Sequence, residues 1–342
     1  MGKNKPSYRR LLIILLVAVA CLQSFVIWEV NRQVLEPANR TNGSVSVNRD
    51  MVRAQESLLL SGAKAFDRNW FSRHGVVKIA NPVADLNYWV FSPAGLSAPG
   101  QDKEREHVAT VFMFCGWGGS ALSSHYLFPL ATEMTKAGCK VIMVDLRGQG
   151  FSTGETVSYG QIDTTDFGVL LSELRQRDEI SGPVMVVGHS YGAAAAIQIA
   201  AGNPSVKAVV ALSGQCELLS LGPTVRWLLR LTNPGLHWAS RPFLSDWAVR
   251  AGIRLAALRH GIDAEKSSPL KAIGKTKAPV MIVHGEDDAC VPVEHAIRIH
   301  AGRPEGTSLM ILAKHDHWSY LDSPETVQAI TRWLAHGMGL QR

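Results

Sequence analysis

Four apolar residues, Val184-Met185-Val186-Val187, run into Gly188-His189-Ser190-Tyr191-Gly192, and the chain passes at once into an alanine-rich stretch, Ala193 to Ala201. A short β-branched run reads as a buried strand and the alanines as a helix, so only a very tight turn fits between them. The flanking glycines carry no Cβ and let strand and helix approach closely. In such a turn Ser190 is strained, its hydroxyl lifted clear of the backbone, and the helix behind it aims unpaired N–H groups at any negative charge forming there. The five-residue pattern alone also arises by chance in a chain of 342 residues. Its place between a strand and a helix is what gives it meaning.

The rest of the chain repeats the same alternation. Strands are expected at Val108 to Cys115, Lys140 to Val144, Pro183 to Gly188, Val206 to Leu212, Pro279 to His284 and Ser308 to Leu312, after a hairpin around Val76 to Ile79 and Asn87 to Phe91. Helices are expected near Ser123 to Lys136, Ile162 to Arg175, Tyr191 to Ala201, Glu294 to Ala301 and Pro324 to His336. Strands alternating with helices give an α/β fold, a mostly parallel, doubly wound sheet with helices on both faces. Between Ser213 and Lys277 the alternation stops. That stretch holds Trp227, Trp238, Trp247, Pro223, Pro234 and Pro242 and no clear strand, so a helical cap insertion, about 214–272, is expected over the sheet's C-terminal edge.

A serine hydroxyl is a poor nucleophile until an imidazole takes its proton, and the imidazole needs a carboxylate to fix its tautomer. Two strand-end loops downstream supply both. Gly285-Glu286-Asp287-Asp288 follows one strand, and Lys314-His315-Asp316-His317-Trp318 follows another. Both lie at the sheet edge expected for Ser190, and the order is serine, acid, histidine. Asp287 or Asp288, and His315 or His317, remain open on spacing alone.

Four segments together resemble the α/β-hydrolase superfamily, nearest its monoacylglycerol-lipase-like and lysophospholipase-like serine hydrolases. They are Cys115-Gly116-Trp117-Gly118-Gly119, Asp145-Leu146-Arg147-Gly148-Gln149-Gly150-Phe151-Ser152, Gly188 to Gly192, and His284 to Pro292; the likeness runs from about Val76 to the C-terminus. The resemblance implies Ser190 as nucleophile and the acid three residues after Gly285, which is Asp288. It implies the base ahead of an acidic residue and a proline, which Asp322 and Pro324 supply for His317. Asp287 and His315 are then loop residues that order their turns. It further implies an oxyanion hole from the backbone N–H groups of Trp117 and Tyr191, with no metal or organic cofactor. Cys115 departs from the pattern, standing where a histidine commonly precedes the glycine. An oxyanion hole needs amides rather than that side chain, so Cys115 is expected to be a buried thiol.

Other chemistries are poorly served. Four of the 35 basic residues, Lys3, Lys5, Arg9 and Arg10, sit in the first ten, and the remainder nearly balance the 29 acidic ones, which leaves no nucleic-acid footprint. Gly148-Gln149-Gly150 lacks the third glycine of a dinucleotide turn, because Thr153 occupies it. His315 and His317 have no accompanying ligand cluster for a metal, and the five cysteines show no C-x-x-C spacing. His125, just past the oxyanion loop, is a candidate pocket residue.

The N-terminus carries its own expectation. After the four basic residues no charge occurs from Leu11 to Trp28, close to the about 20 residues that span a bilayer. Residues 1–30 are therefore expected as a cytoplasmic tail and single-pass anchor with the catalytic domain outside the cytoplasm. A cleaved signal peptide ending near Ala18-Val19-Ala20, giving a secreted protein, and a lipoprotein modified at Cys21 are the alternatives. Residues 31–50 read as a polar stalk and 51–342 as the hydrolase domain, with a covering helix at Met51 to Phe66. The expected activity is hydrolysis of a small-molecule or lipid-like carboxylic ester with an apolar acyl or aryl group. A peptidase, a thioesterase and a silent binding protein are the competing readings. Eight Lys/Arg against four Asp/Glu between Gly214 and Lys271 give little to grip a peptide's free amine. The anchor together with Trp227-Leu228-Leu229-Arg230-Leu231 suggests a cap facing the bilayer.

Overall fold

A computed structural model describes residues 21, 23–28, 30, 70–92, 107–232 and 246–337. Eight strands form one sheet: β1 (Phe71–Ala80), β2 (Val83–Phe91), β3 (Thr110–Phe114), β4 (Lys140–Val144), β5 (Val184–His189), β6 (Val206–Leu212), β7 (Val280–Gly285) and β8 (Thr307–Leu312). Their spatial order is β1-β2-β4-β3-β5-β6-β7-β8. β1 and β2 form an antiparallel hairpin, β2 pairs antiparallel with β4, and every pair from β4 to β8 is parallel. β3, β4, β5 and β7 are apolar runs buried at nearly every position, as strands covered on both faces must be.

The helices divide between the two faces. α1 (Phe128–Lys136) and α8 (Pro324–Gly337) cover one, where Leu130, Met134, Val327 and Ile330 join Met113, Met143 and Val187 in a core. α2 (Asp163–Gln176), α3 (Tyr191–Gly202) and α7 (Glu294–Ala301) cover the other, where Phe167, Leu170, Ile197 and Ile299 meet Phe112, Phe114 and Val186. Between β6 and β7 the described residues are helical: α4 (Gly222–Thr232), α5 (Asp246–Arg259) and the short α6 (Pro269–Ile273).

The strand order places the site. The chain runs from β3 outward to β4, then returns across β3 to β5 and continues the other way. Loops leaving the C-terminal ends of β3 and β5 therefore diverge and open a crevice, the usual ligand position in such sheets. The loop after β3 is the expected oxyanion loop, and the turn after β5 carries Ser190.

Two expectations shift, and a third is not reached by the described residues. The hairpin is longer than its apolar alternation, beginning at Phe71 and folding back through Asn81-Pro82. The helix expected from Ser123 starts at Phe128, because Ser120 and Ser123 bond the local backbone in turns, Ser123 N–H donating to Ser120 Oγ at 3.1 Å, and Pro129 opens the helix. The third concerns the anchor. Residues 1–20, the stalk at 31–50 and the helix at 51–66 lie outside the described residues, and among the described residues no helix is long and apolar enough to cross a membrane. The end of the apolar segment that is described is helical and packs on protein: Val26 and Val30 are buried, Val30 against Gly252 of α5.

Candidate active site

Ser190 sits between β5 and α3 at φ 55°, ψ −114°, a left-handed conformation costing a non-glycine residue about 1–3 kcal/mol. The turn is held from three sides. Ser190 N–H donates to the Leu212 carbonyl at 2.7 Å, and Gly192 N–H to the Cys115 carbonyl at 3.1 Å. A Cβ on Gly188 would run into the Gly192 carbonyl, and one on Gly192 into the Phe114 carbonyl. Both glycines are thus required by close approach, as the sequence pattern implied. Ser190 Oγ makes no hydrogen bond among the described residues.

The loop after β3 is braced by side chains from elsewhere. Gly116 N–H donates to the Tyr126 hydroxyl at 3.3 Å, Gly118 N–H to Gln149 Oε1 at 2.7 Å, and Ala121 N–H to Asp145 Oδ1 at 2.7 Å. The amides of Trp117 and Tyr191, by contrast, have no acceptor among the described residues. Every neighbouring N–H is engaged and these two are left free, one on each side of the crevice. Asp145 takes a second N–H from Phe151 at 2.7 Å. Burial pushes its carboxyl up to about 7 against the pull of these two N–H groups. Two residues on, Arg147 is buried and grips Asp166 of α2 with Nε at 2.7 Å and Nη2 at 2.8 Å, so the Asp145 to Ser152 segment is a brace rather than a nucleotide turn. Cys115 is buried and its thiol is pushed up to about 12, first by burial and then by Asp145, so it stays protonated at neutral pH.

Asp288 and His317 come together from loops after β7 and β8. His317 Nδ1 lies 2.6 Å from Asp288 Oδ2. Burial alone would raise the Asp288 pKa, but hydrogen bonds from His284 and His317 outweigh it and hold the carboxyl well below the usual range. The ionised carboxylate can only accept. His317 therefore carries its proton on Nδ1 and presents a lone pair at Nε2. Asp288 Oδ1 is fixed by the N–H groups of Cys290 at 2.9 Å and Val291 at 2.8 Å. Asp287 is exposed; its N–H donates to the His315 carbonyl at 2.9 Å, so the two alternative residues order their turns.

Two histidines that sequence reasoning gave no role complete the arrangement. His189, next to Ser190, donates Nε2–H to the His317 carbonyl at 2.8 Å, and their rings lie 4.7 Å apart. That bond ties the Ser190 turn to the His317 loop. Burial, helped by the neighbouring His317, pushes His189 down to about 3, so it donates as a neutral ring. His284 donates Nε2–H to the Val291 carbonyl at 2.7 Å and lies 3.2 Å from Asp288 Oδ2. Its place four residues before Asp288 was visible in the chain; the pairing of His189 with a carbonyl 128 residues away was not. His125 packs against Phe128, ring centroids 5.0 Å apart. Trp318 stands edge-on to His317 at 4.7 Å and meets Trp227 of α4 at 5.9 Å, an aromatic wall beside His317. Among the described residues no group of three or more His, Cys, Asp or Glu is placed to hold a metal.

Known proteins share this arrangement of chain. YqkD of Bacillus subtilis, itself uncharacterized, is 27% identical over 227 residues, 65% of this chain and 70% of its own length. A 2-hydroxy-6-oxononadienedioate/2-hydroxy-6-oxononatrienedioate hydrolase of Cupriavidus pinatubonensis is 25% identical over 259 residues, 67% of this chain and 86% of its own. The solved esterase Pf2001 of Pyrococcus furiosus superposes with a TM-score of 0.59 at 20% identity, covering 78% of this chain and 93% of that one, a likeness of fold. The sequence model of the alpha/beta hydrolase family matches residues 111–330, well over half the chain and every loop of the crevice, and the protein belongs to that family.

Proposed function

We propose that the protein is a serine hydrolase that cleaves carboxylic esters through an acyl-enzyme on Ser190. The observation that carries the reading is the 2.6 Å link between His317 and an ionised Asp288, tied through His189 to the turn that lifts Ser190. In the first step His317 Nε2 takes the Ser190 hydroxyl proton as Oγ attacks the ester carbonyl. The tetrahedral oxyanion accepts hydrogen bonds from the free amides of Trp117 and Tyr191. Collapse breaks the ester C–O bond, and the departing alcohol takes the proton back from His317. A water, deprotonated in turn by His317, releases the acid and restores Ser190. In unliganded sites the nucleophile–base contact is often long and tightens when substrate is present, which fits the unbonded Ser190 hydroxyl.

The aromatic wall of Trp318 and Trp227 supports an apolar acyl or aryl group, and α4 and α5 supply the cap that encloses it. Labelling with a fluorophosphonate probe tests the nucleophile: wild type labels and Ser190→Ala does not. An unlabelled wild type would favour a silent binding protein. Faster turnover of peptide amides or thioesters than of nitrophenyl esters would favour those chemistries on the same residues. The uncharged stretch Leu11 to Trp28 behind four basic residues supports a membrane-anchored form, and the burial of Val26 and Val30 on protein counts against its last turns lying in lipid. Retention of the full chain in membranes after alkaline carbonate extraction tests it, and release would sink it.

A further inference from the structure

A cavity of about 260 Å³ lies beside the acid loop, between the helices that follow β6 and the start of α7. Pro292 of the acid loop forms part of its wall, and Ser190, His317, Trp117 and Tyr191 do not. Three arginines line it, Arg226 from α4, Arg250 from α5 and Arg298 from α7, against Asp246 and Glu294. Asp246 is met by Arg226 at 2.7 Å, and Arg298 Nη2 is given to Glu217 at 2.8 Å. Arg250 has no ion pair or hydrogen bond among the described residues.

His295, 7% exposed, lines the cavity as well. Cys216 N–H donates to its Nδ1 at 3.1 Å, and the Cys216 thiol lies 3.1 Å from the same nitrogen. An Nδ1 that accepts leaves the ring proton on Nε2, and this N–H has no partner among the described residues. His295 Nε2–H is open to the cavity rather than sealed among protein atoms, so it is a donor available to an acceptor that enters there. Leu219, Pro223 and Pro292 add apolar wall enough for a few carbons.

We propose that this cavity is a second binding site, separate from Ser190, for a small organic carboxylate. The carboxylate lies between Arg250, Arg298 and His295 Nε2–H, in the forked geometry that guanidinium groups favour, and its short carbon body rests on the leucine and prolines. With Glu217 on Arg298 and Asp246 on Arg226, Arg250 is the one arginine of the wall without an ion pair among the described residues, which suits a monoanion better than a phosphate dianion. The occupant joins α4 and α5 to α7 close to residues that flank Asp288 and His317. Thr224 of α4 donates to the Cys290 carbonyl at 2.9 Å, and Trp227, next to Arg226, packs on Trp318. A bound carboxylate thus fixes the helices beside His317, and the site is placed to report carboxylate levels to the hydrolase. This last step rests on the proposed ester hydrolysis; the binding itself does not.

Calorimetric titration of the full chain decides the matter, with benzoate as the probe and Ser190 first capped by fluorophosphonate so that no acid enters the catalytic crevice. One saturable site is expected, weakened tenfold or more in both Arg250→Gln and His295→Gln. No saturable heat in wild type, equal affinity in wild type and Arg250→Gln, or tighter binding of inorganic phosphate than of benzoate would each overturn the proposal. If Ser190 fails to label, the ester reading falls, while the comparison of wild type with Arg250→Gln still decides the second site.

Discussion

His317 and His295 stand near the two ends of the loop that follows β7, and their partners, Asp288 for one and Cys216 for the other, wire them in opposite senses. At Asp288 the chain offers His317 an anionic acceptor at 2.6 Å, so Nδ1 keeps the proton and Nε2 presents a lone pair. Beyond Pro292, His295 receives an N–H from Cys216 at 3.1 Å, so Nδ1 is the acceptor and Nε2 a donor. The residue type is the same and the burial similar. What differs is whether the group facing Nδ1 gives or takes a proton, and under the proposed reading that makes one ring a base for Ser190 and the other a donor to an acceptor.

The largest effect expected follows from reversing that wiring at His317. In Asp288→Asn the side-chain oxygen still serves the Cys290 and Val291 N–H groups, which turns the amide N–H₂ toward His317 Nδ1. The ring proton then moves to Nε2, the state now found at His295, and no base faces Ser190. We expect kcat on a nitrophenyl ester to fall by about 10⁴-fold, the scale known for the analogous change in other serine enzymes. A loss under tenfold would mean that Asp288 does not set the tautomer.

A smaller effect is expected one step removed. His189 holds the His317 carbonyl at 2.8 Å and touches no reacting atom, so it is a positioning residue. His189→Phe keeps the ring and removes the donor. It should lower kcat by roughly tenfold, as a misplaced catalytic group does, with KM within about twofold. His189→Gln, which restores an N–H, should recover most of the loss. Equal defects in both variants, or a change confined to KM, would assign His189 to packing instead.

These contrasts also mark what was legible in the chain. The turn at Ser190 was readable because every force shaping it is local: a β-branched strand, two glycines and an alanine-rich helix within about twenty residues. The alternation that gave the doubly wound sheet was readable for the same reason. Asp288 and His317 needed the resemblance, since Asp287 and His315 satisfy the same spacing and only tertiary burial separates them. The free amides of Trp117 and Tyr191 stand out only because Tyr126, Gln149 and Asp145 occupy their neighbours, and those partners come from other loops. His189 and His295 were unreadable in principle from local pattern. A ring's tautomer is set by whichever group folds against it, here 128 and 79 residues away. The start of α1 was misjudged because serine turns imitate a helix entry until their side-chain bonds are seen.

The smallest predicted effect probes His295 by its proton. Burial, then the charges of His284 and Arg298, push its pKa from 6.5 down to about 4, against the opposing pull of Glu294 and Asp288. Between those values the unfolded chain binds a proton that the folded one does not, so stability rises with pH across this window and is lost as pH falls through it. Asp145, raised to about 7, has the opposite slope over much of the same range, because there the folded chain holds the extra proton. Subtracting His295→Gln from wild type cancels Asp145 and leaves the histidine alone. Urea unfolding from pH 4.5 to 7.5 should show wild type gaining on the variant with rising pH, by at most roughly 1.4 kcal/mol per unit where one proton is exchanged. The two should run parallel above pH 7. Parallel curves throughout would show that His295 keeps an ordinary proton affinity in the fold, and the contrast with His317 would then rest on hydrogen-bond direction alone.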